Sequence, residues 1–270
     1  MTDLLAAFLA ITLYLGCTVL LLMRLKKSRS VAALSKRVIL FPGFLGLGAH
    51  LYTLSQSMIN PDGINIGFFT ALSLVGAFIT LFTLVSALRH PIEIVGIIVL
   101  PIAAITLAAD HTTATIHLLP PGSATGLIIH VVTSIIAYSI LGLAAIQAVV
   151  LSVQNSLLHK HQPGGLIRMM PPLKTMESLL FDAIIIGFVC LSVSLVSGMV
   201  FLEDMFAQHL AHKTVLSIIA WLVFATLLAG RWLVGWRGRT AIRWTLGGFI
   251  SLMLAYFGSK FVLEVILASS

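Results

Sequence analysis

The stretch LLAAFLAITLYLGCTVLLLM at residues 4–23 decides the fold, and RLKKSRSVAALSKR at residues 24–37 orients it. Twenty uncharged residues coiled at 1.5 Å per residue reach roughly 30 Å, the thickness of a bilayer's hydrocarbon core. The stretch that follows carries Arg24, Lys26, Lys27, Arg29, Lys36 and Arg37 and no acid. Working outward, the same alternation recurs. Apolar runs bounded by charges or Pro/Gly predict further helices at 38–58, 65–88, 92–109, 125–154, 178–202, 214–234 and 244–267. With 59% hydrophobic and 9% charged residues, the 270-residue chain excludes a soluble domain, which carries about 25% charge.

The remaining basic residues confirm the alternation. Arg89 follows the third helix, Lys160, Arg168 and Lys174 the fifth, and Arg231, Arg237, Arg239 and Arg243 the seventh. Fourteen of sixteen Lys and Arg therefore fall on alternate loops; Lys213 and Lys260 are the exceptions. Asp3, Asp62, Asp110, Glu203 and Asp204 take the other side. By the positive-inside rule both termini face out. The expected fold is all-α: one integral membrane domain over 1–270, a polytopic bundle of eight transmembrane helices. The net charge of +7 belongs to this topology rather than to nucleic acid. Asp3, and no basic residue, precedes Cys17, so an uncleaved first span is expected. Cys17 and Cys190 make no Cys-x-x-Cys motif, so neither a disulfide framework nor covalent haem attachment is indicated. Pro42 sits near the start of the second helix, and Pro101 interrupts the fourth, leaving a re-entrant segment as the alternative there.

Among nine histidines, six fall in loops: His90, His111, His117, His159, His161 and His209. His50 lies roughly 10 Å below the outer surface and His130 roughly 6–8 Å below it, counting helical rise. His212 stands at the outer mouth of the seventh helix, so three helices place a histidine in one layer. Gly43, Gly46, His50, Thr53 and Ser57 recur at steps of three and four, as do His130, Ser134 and Tyr138. Such stripes either pack helices closely, with the imidazoles hydrogen-bonded across the seam, or surround a ligand. A neutral imidazole is a common ligand for haem iron, which makes His50 and His130 a candidate axial pair. Competing chemistry is thin. There is no His-Glu-x-x-His, no phosphate-cradling Gly loop and no nucleophile motif. Glu93, Glu177 and Asp182 stand near cytoplasmic helix ends, Lys260 and Glu264 are expected to pair near the outer end, and no acidic relay crosses the centre.

The segment Leu119-Pro120-Pro121, leading to Ile129-His130-Val131-Val132-Thr133-Ser134-Ile135-Ile136-Ala137-Tyr138, resembles the histidine-bearing helix of the cytochrome c assembly family of haem-handling membrane proteins. His212-Lys213-Thr214-Val215-Leu216-Ser217, Trp221, Arg231, the run Gly235–Ile242, Gly248-Phe249 and Tyr256-Phe257-Gly258 are similar to its last two helices. The resemblance is strongest over 119–260 and points to the family's short, HemX-like branch. It implies haem binding or export in the outer half of the bundle, with haem b as cofactor. His130 matches a family ligand position, and His50 and His212 are the further ligand candidates. Ser134, Tyr138 and Trp221 join them as candidate lining. Two family features are missing: the outer loop 202–209 has no tryptophan, and no histidine follows the final helix. Delivery of haem to apocytochrome is therefore not implied. Trp232, Trp236 and Trp244 belong to an interfacial aromatic belt, and Arg231, Arg237, Arg239 and Arg243 to topology anchoring before any propionate or lipid contact. The expected protein is a bacterial inner-membrane haem-handling protein and not an enzyme. Its expected partners are membrane lipid, haem and other membrane proteins. The alternative is a scaffold or regulatory subunit that binds no haem.

Overall fold

Every stretch of chain long enough and apolar enough to cross a bilayer coils in the computed structural model, because lipid supplies no partner for an open backbone N–H or C=O. The structure describes residues 2–26, 28, 33–61, 63–113, 118–119, 125–159, 170–201 and 208–258, without the side chains of 60 and 208–212. The helices are α1 (Thr2–Leu25), α2 (Lys36–Met58), α3 (Phe68–Arg89), α4 (Glu93–Thr112), α5 (Thr125–His159), α6 (Leu173–Phe201), α7 (Gln208–Leu233) and α8 (Arg239–Met253). A π-helical turn, Leu254–Gly258, continues α8. Among the described residues all eight, α8 taken together with its π-helical turn, are long and apolar enough to span a membrane. Phe8, Ile105 and Val200 are among many large apolar side chains that point outward, as lipid requires and water would penalise.

The differences from expectation lie at helix ends. α4 runs unbroken through Pro101, so the re-entrant alternative falls away. Pro42 is the seventh residue of α2, inside the helix rather than in its opening turn. α6 begins at Leu173, directly after Pro171-Pro172, five residues before the expected start at 178, and so includes Lys174 and Glu177. α8 begins at Arg239, after Gly238 at φ 57°, a backbone that glycine adopts without strain. Residues 259–267 of the expected last span, with the Lys260–Glu264 pair, lie outside the described residues.

The chain divides into two compact units: residues 1–119 with 156–172, and residues 120–155 with 173–270. In the first, Tyr14, Leu21, Ile39, Leu40, Leu84 and Leu100 form a fully buried core. The small residues of α2 permit close approach. A Cβ on Gly46 would stand 3.0 Å from the Tyr14 ring, and one on Gly43 would stand 2.9 Å from Leu84. At one end, a small antiparallel sheet joins β1 (Ile59–Asn60), β2 (Gly63–Asn65) and β3 (Leu118–Leu119). Ile59 pairs with Ile64 and Asn60 with Gly63. At the other end Lys36 pairs with Glu93 at 3.2 Å, and Arg24 approaches the same carboxylate at 3.9 Å. In the second unit, Leu141, Leu151, Met176 and Phe224 are among the large fully buried side chains. There Arg231 pairs with Glu177 at 3.2 Å and lies over the Phe181 ring.

Candidate functional site

His50 belongs to the first unit. The three- and four-residue steps of α2 put Gly43, Gly46, His50 and Thr53 on one buried face, and His50 is 0% exposed. A buried imidazole is costly unless both ring nitrogens are served. Here both are: Nδ1 lies 3.1 Å from the Tyr14 hydroxyl of α1, and Nε2 lies 2.9 Å from Ser73 Oγ of α3. The Tyr14 ring also meets the imidazole edge-on at 5.9 Å between centroids. In either tautomer one nitrogen donates and the other accepts, so no lone pair is left over.

His130 belongs to the second unit and is only half-buried, in the second turn of α5. Its Nδ1 lies 2.8 Å from the main-chain carbonyl of Ser194 on α6. A carbonyl only accepts, so Nδ1 carries the proton and Nε2 of the neutral ring keeps its lone pair. Among the described residues nothing hydrogen-bonds to Nε2. The hydroxyls beneath hold the carbonyl and the helix in place. Ser197 donates to Ser194 O at 2.9 Å, Ser134 donates to His130 O at 2.6 Å, and the Ser194 hydroxyl lies 2.6 Å from Ser134 Oγ. Because Ser134 has donated its proton, Ser194 is the donor of that last bond. Ser197 Oγ lies 3.4 Å from Nδ1, at the margin of the same network.

The other expected site residues divide. Ser134 joins the His130 network. Tyr138, on the same stripe, donates to Leu252 O at 2.8 Å, tying α5 to α8 just before the π turn. Trp221 donates from Nε1 to Ser192 Oγ at 2.8 Å and stacks on Phe188. Both polar tips are thus committed to neighbouring helices. His212 lies within α7, but its side chain is outside the described residues, as are those of His117, His161 and His209. No group of three or more His, Cys, Asp or Glu that could hold a metal ion occurs among the described residues. Ser194 and Ser197 were not singled out from the sequence, although a signal existed. Gly187, Leu191, Ser194, Ser197 and Gly198 repeat on α6 the small and polar stepping that marked α2, and all are buried.

The pattern of the cytochrome C assembly protein family matches residues 38–267. That extends the resemblance seen over 119–260 upstream through the helix of His50. The chain is 31% identical over 239 residues to the inner membrane protein YpjD of Escherichia coli K12, covering 86% of this chain and 88% of that one. It is 33% identical over 141 residues to an uncharacterized 28.8 kDa protein of Azospirillum brasilense, covering 52% of each. It is 25% identical over 201 residues to the cytochrome c biogenesis protein CcsA of Prochlorococcus marinus, covering 64% of each. No solved structure matches the chain. The chain belongs to the cytochrome c assembly protein family and is an integral membrane protein.

Proposed function

We propose that this member of the cytochrome c assembly family is a haem-handling protein of the bacterial inner membrane, without enzymatic activity of its own, and that His130 ligates the iron through Nε2. The observation that carries the reading is the Nδ1–H bond from His130 to Ser194 O. Metal-ligating histidines characteristically give their other N–H to a carbonyl or carboxylate, which fixes the tautomer and makes the coordinating nitrogen more basic. Haem b, if bound, would supply an iron that the His130 imidazole would hold. Ser134, Ser194 and Ser197 hold the ring in orientation and do not themselves coordinate. His50 does not fit a ligand as it stands, since turning either nitrogen outward breaks a buried bond to Tyr14 or Ser73. His212 is the candidate for a second axial ligand or a gate. Both termini, and the α5 end that bears His130, are assigned to the outer side by the distribution of Lys and Arg.

The test is the absorbance spectrum of the detergent-purified protein titrated with haem. Wild type should develop a Soret band that His130→Ala alters and His209→Ala leaves unchanged. No spectral difference between wild type and His130→Ala would remove the ligand assignment. The orientation has its own test: a reporter fused after Ser270 should be active only on the outer side, and a cytoplasmic signal would overturn it. The second reading, a scaffold or regulatory subunit that binds no haem, is favoured by the closed hydrogen bonding of His50, which needs no ligand to satisfy it. Under that reading wild type itself develops no Soret shift.

A further inference from the structure

Three basic side chains at the Lys/Arg-rich helix ends close onto acids: Arg24 and Lys36 onto Glu93, and Arg231 onto Glu177. Arg237, Arg239 and Arg243, in and just after the turn between α7 and α8, are exposed and have no acidic partner among the described residues. Their placement is unfavourable for the protein alone. Arg239 and Arg243 are four residues apart on one face of α8, where like charges repel. They also occupy its opening turns, where the helix dipole favours an anion, and no acidic residue stands in the first turn. Beside them is an apolar tip: Trp232, Leu233 and Val234 are 69%, 84% and 73% exposed. The tip is held by defined geometry. Gly235 and Gly238 take φ 75° and 57°, Trp236 covers Gly230, and Trp236 and Trp244 lie 5.4 Å apart between ring centroids.

We propose that the turn between α7 and α8 is a recognition site for anionic phospholipid. Arg237, Arg239 and Arg243 take the headgroup phosphate, and Trp232, Leu233 and Val234 enter the adjoining acyl region. Charge complementarity selects the lipid, since a phosphate relieves both the Arg239–Arg243 repulsion and the clash with the helix dipole. The contiguous apolar tip distinguishes a lipid from a free phosphate, which would gain nothing from it. This site is independent of haem and of the assignment of His130.

Three of the chain's four tryptophans surround the site, so brominated lipid reports on it directly. In vesicles of phosphatidylcholine holding the full-length protein, brominated phosphatidylglycerol should quench tryptophan fluorescence more strongly than brominated phosphatidylcholine does. The preference should weaken as salt rises. The double variant R239Q/R243Q should lose about 30-fold in apparent affinity for phosphatidylglycerol, equivalent to about 1 kcal/mol for each charge. R239K/R243K should retain most of it, and keeps the test decisive if the glutamine variant fails to fold. Equal quenching by the two lipids, a preference indifferent to salt, or a preference abolished by inorganic phosphate at an ionic strength where sodium chloride leaves it in place would each overturn the proposal, the last by showing a site for the free ion.

Discussion

His50 and His130 are both imidazoles on helices that cross a membrane, yet their surroundings differ in kind. His50 is sealed between two hydroxyls from two other helices and has nothing left to give. His130 is fastened through one nitrogen to a carbonyl and keeps the other lone pair. The difference teaches that depth in the membrane does not by itself mark a ligand. On the reading proposed above, the arrangement that suits a ligand is an imidazole whose second nitrogen is held by a group that can only accept. A hydroxyl partner, which can donate or accept, leaves the tautomer undetermined and suits a packing role.

The comparison breaks most sharply in the haem spectrum. His130→Ala should abolish or shift the Soret band of the haem-titrated protein, while His50→Ala should leave its position unchanged. The reverse pattern would exchange the roles of the two residues. Stability should show the opposite ranking. His50→Ala leaves a cavity and two hydroxyls without their partner, at a cost of about 2–3 kcal/mol, whereas His130→Ala costs about 0.6–1.7 kcal/mol, the scale of interhelical hydrogen bonds in membranes. Unfolding in mixed detergent measures both, and equal losses would mean that His50 is no more structural than His130.

The seam that seals His50 can be probed without touching the imidazole. Gly46→Leu drives a side chain into Tyr14 and Leu13 and should destabilise the protein by about 1–3 kcal/mol. Gly48, two residues on and exposed with open space around its Cβ position, is the control. Gly48→Leu should be tolerated, and similar losses at both positions would show that the α1–α2 approach is not what limits position 46. The smallest effect is expected at the Arg231–Glu177 pair. It is partly exposed, so Arg231→Gln should cost at most about 1 kcal/mol and fade further at high salt. A larger loss that salt did not reduce would point to the guanidinium's bond to Trp236 O and its place over the Phe181 ring rather than to the ion pair.

Much of this was legible in advance because hydropathy and charge are properties of neighbouring residues. Eight spans emerge from runs such as 4–23. Their ends are less legible, because turn chemistry sets them: α6 starts behind Pro171-Pro172 and takes Lys174 and Glu177 with it. The buried face of α2 was legible too, since a 3.6-residue period needs no partner to be seen. The Ser194–Ser197 stripe on α6 carried the same signal, but without a histidine it did not stand out.

By itself, then, the sequence determined that this chain crosses a membrane eight times, which family it belongs to, and which faces of α2 and α5 turn inward. Only the tertiary structure decided what each imidazole meets there. Tyr14 and Ser73 stand 36 and 23 residues from His50, and Ser194 stands 64 from His130. The protonation of a ring nitrogen depends on whether its partner is a hydroxyl or a carbonyl. That is settled by helix packing, because a backbone carbonyl belongs to every residue alike and leaves no mark in the sequence.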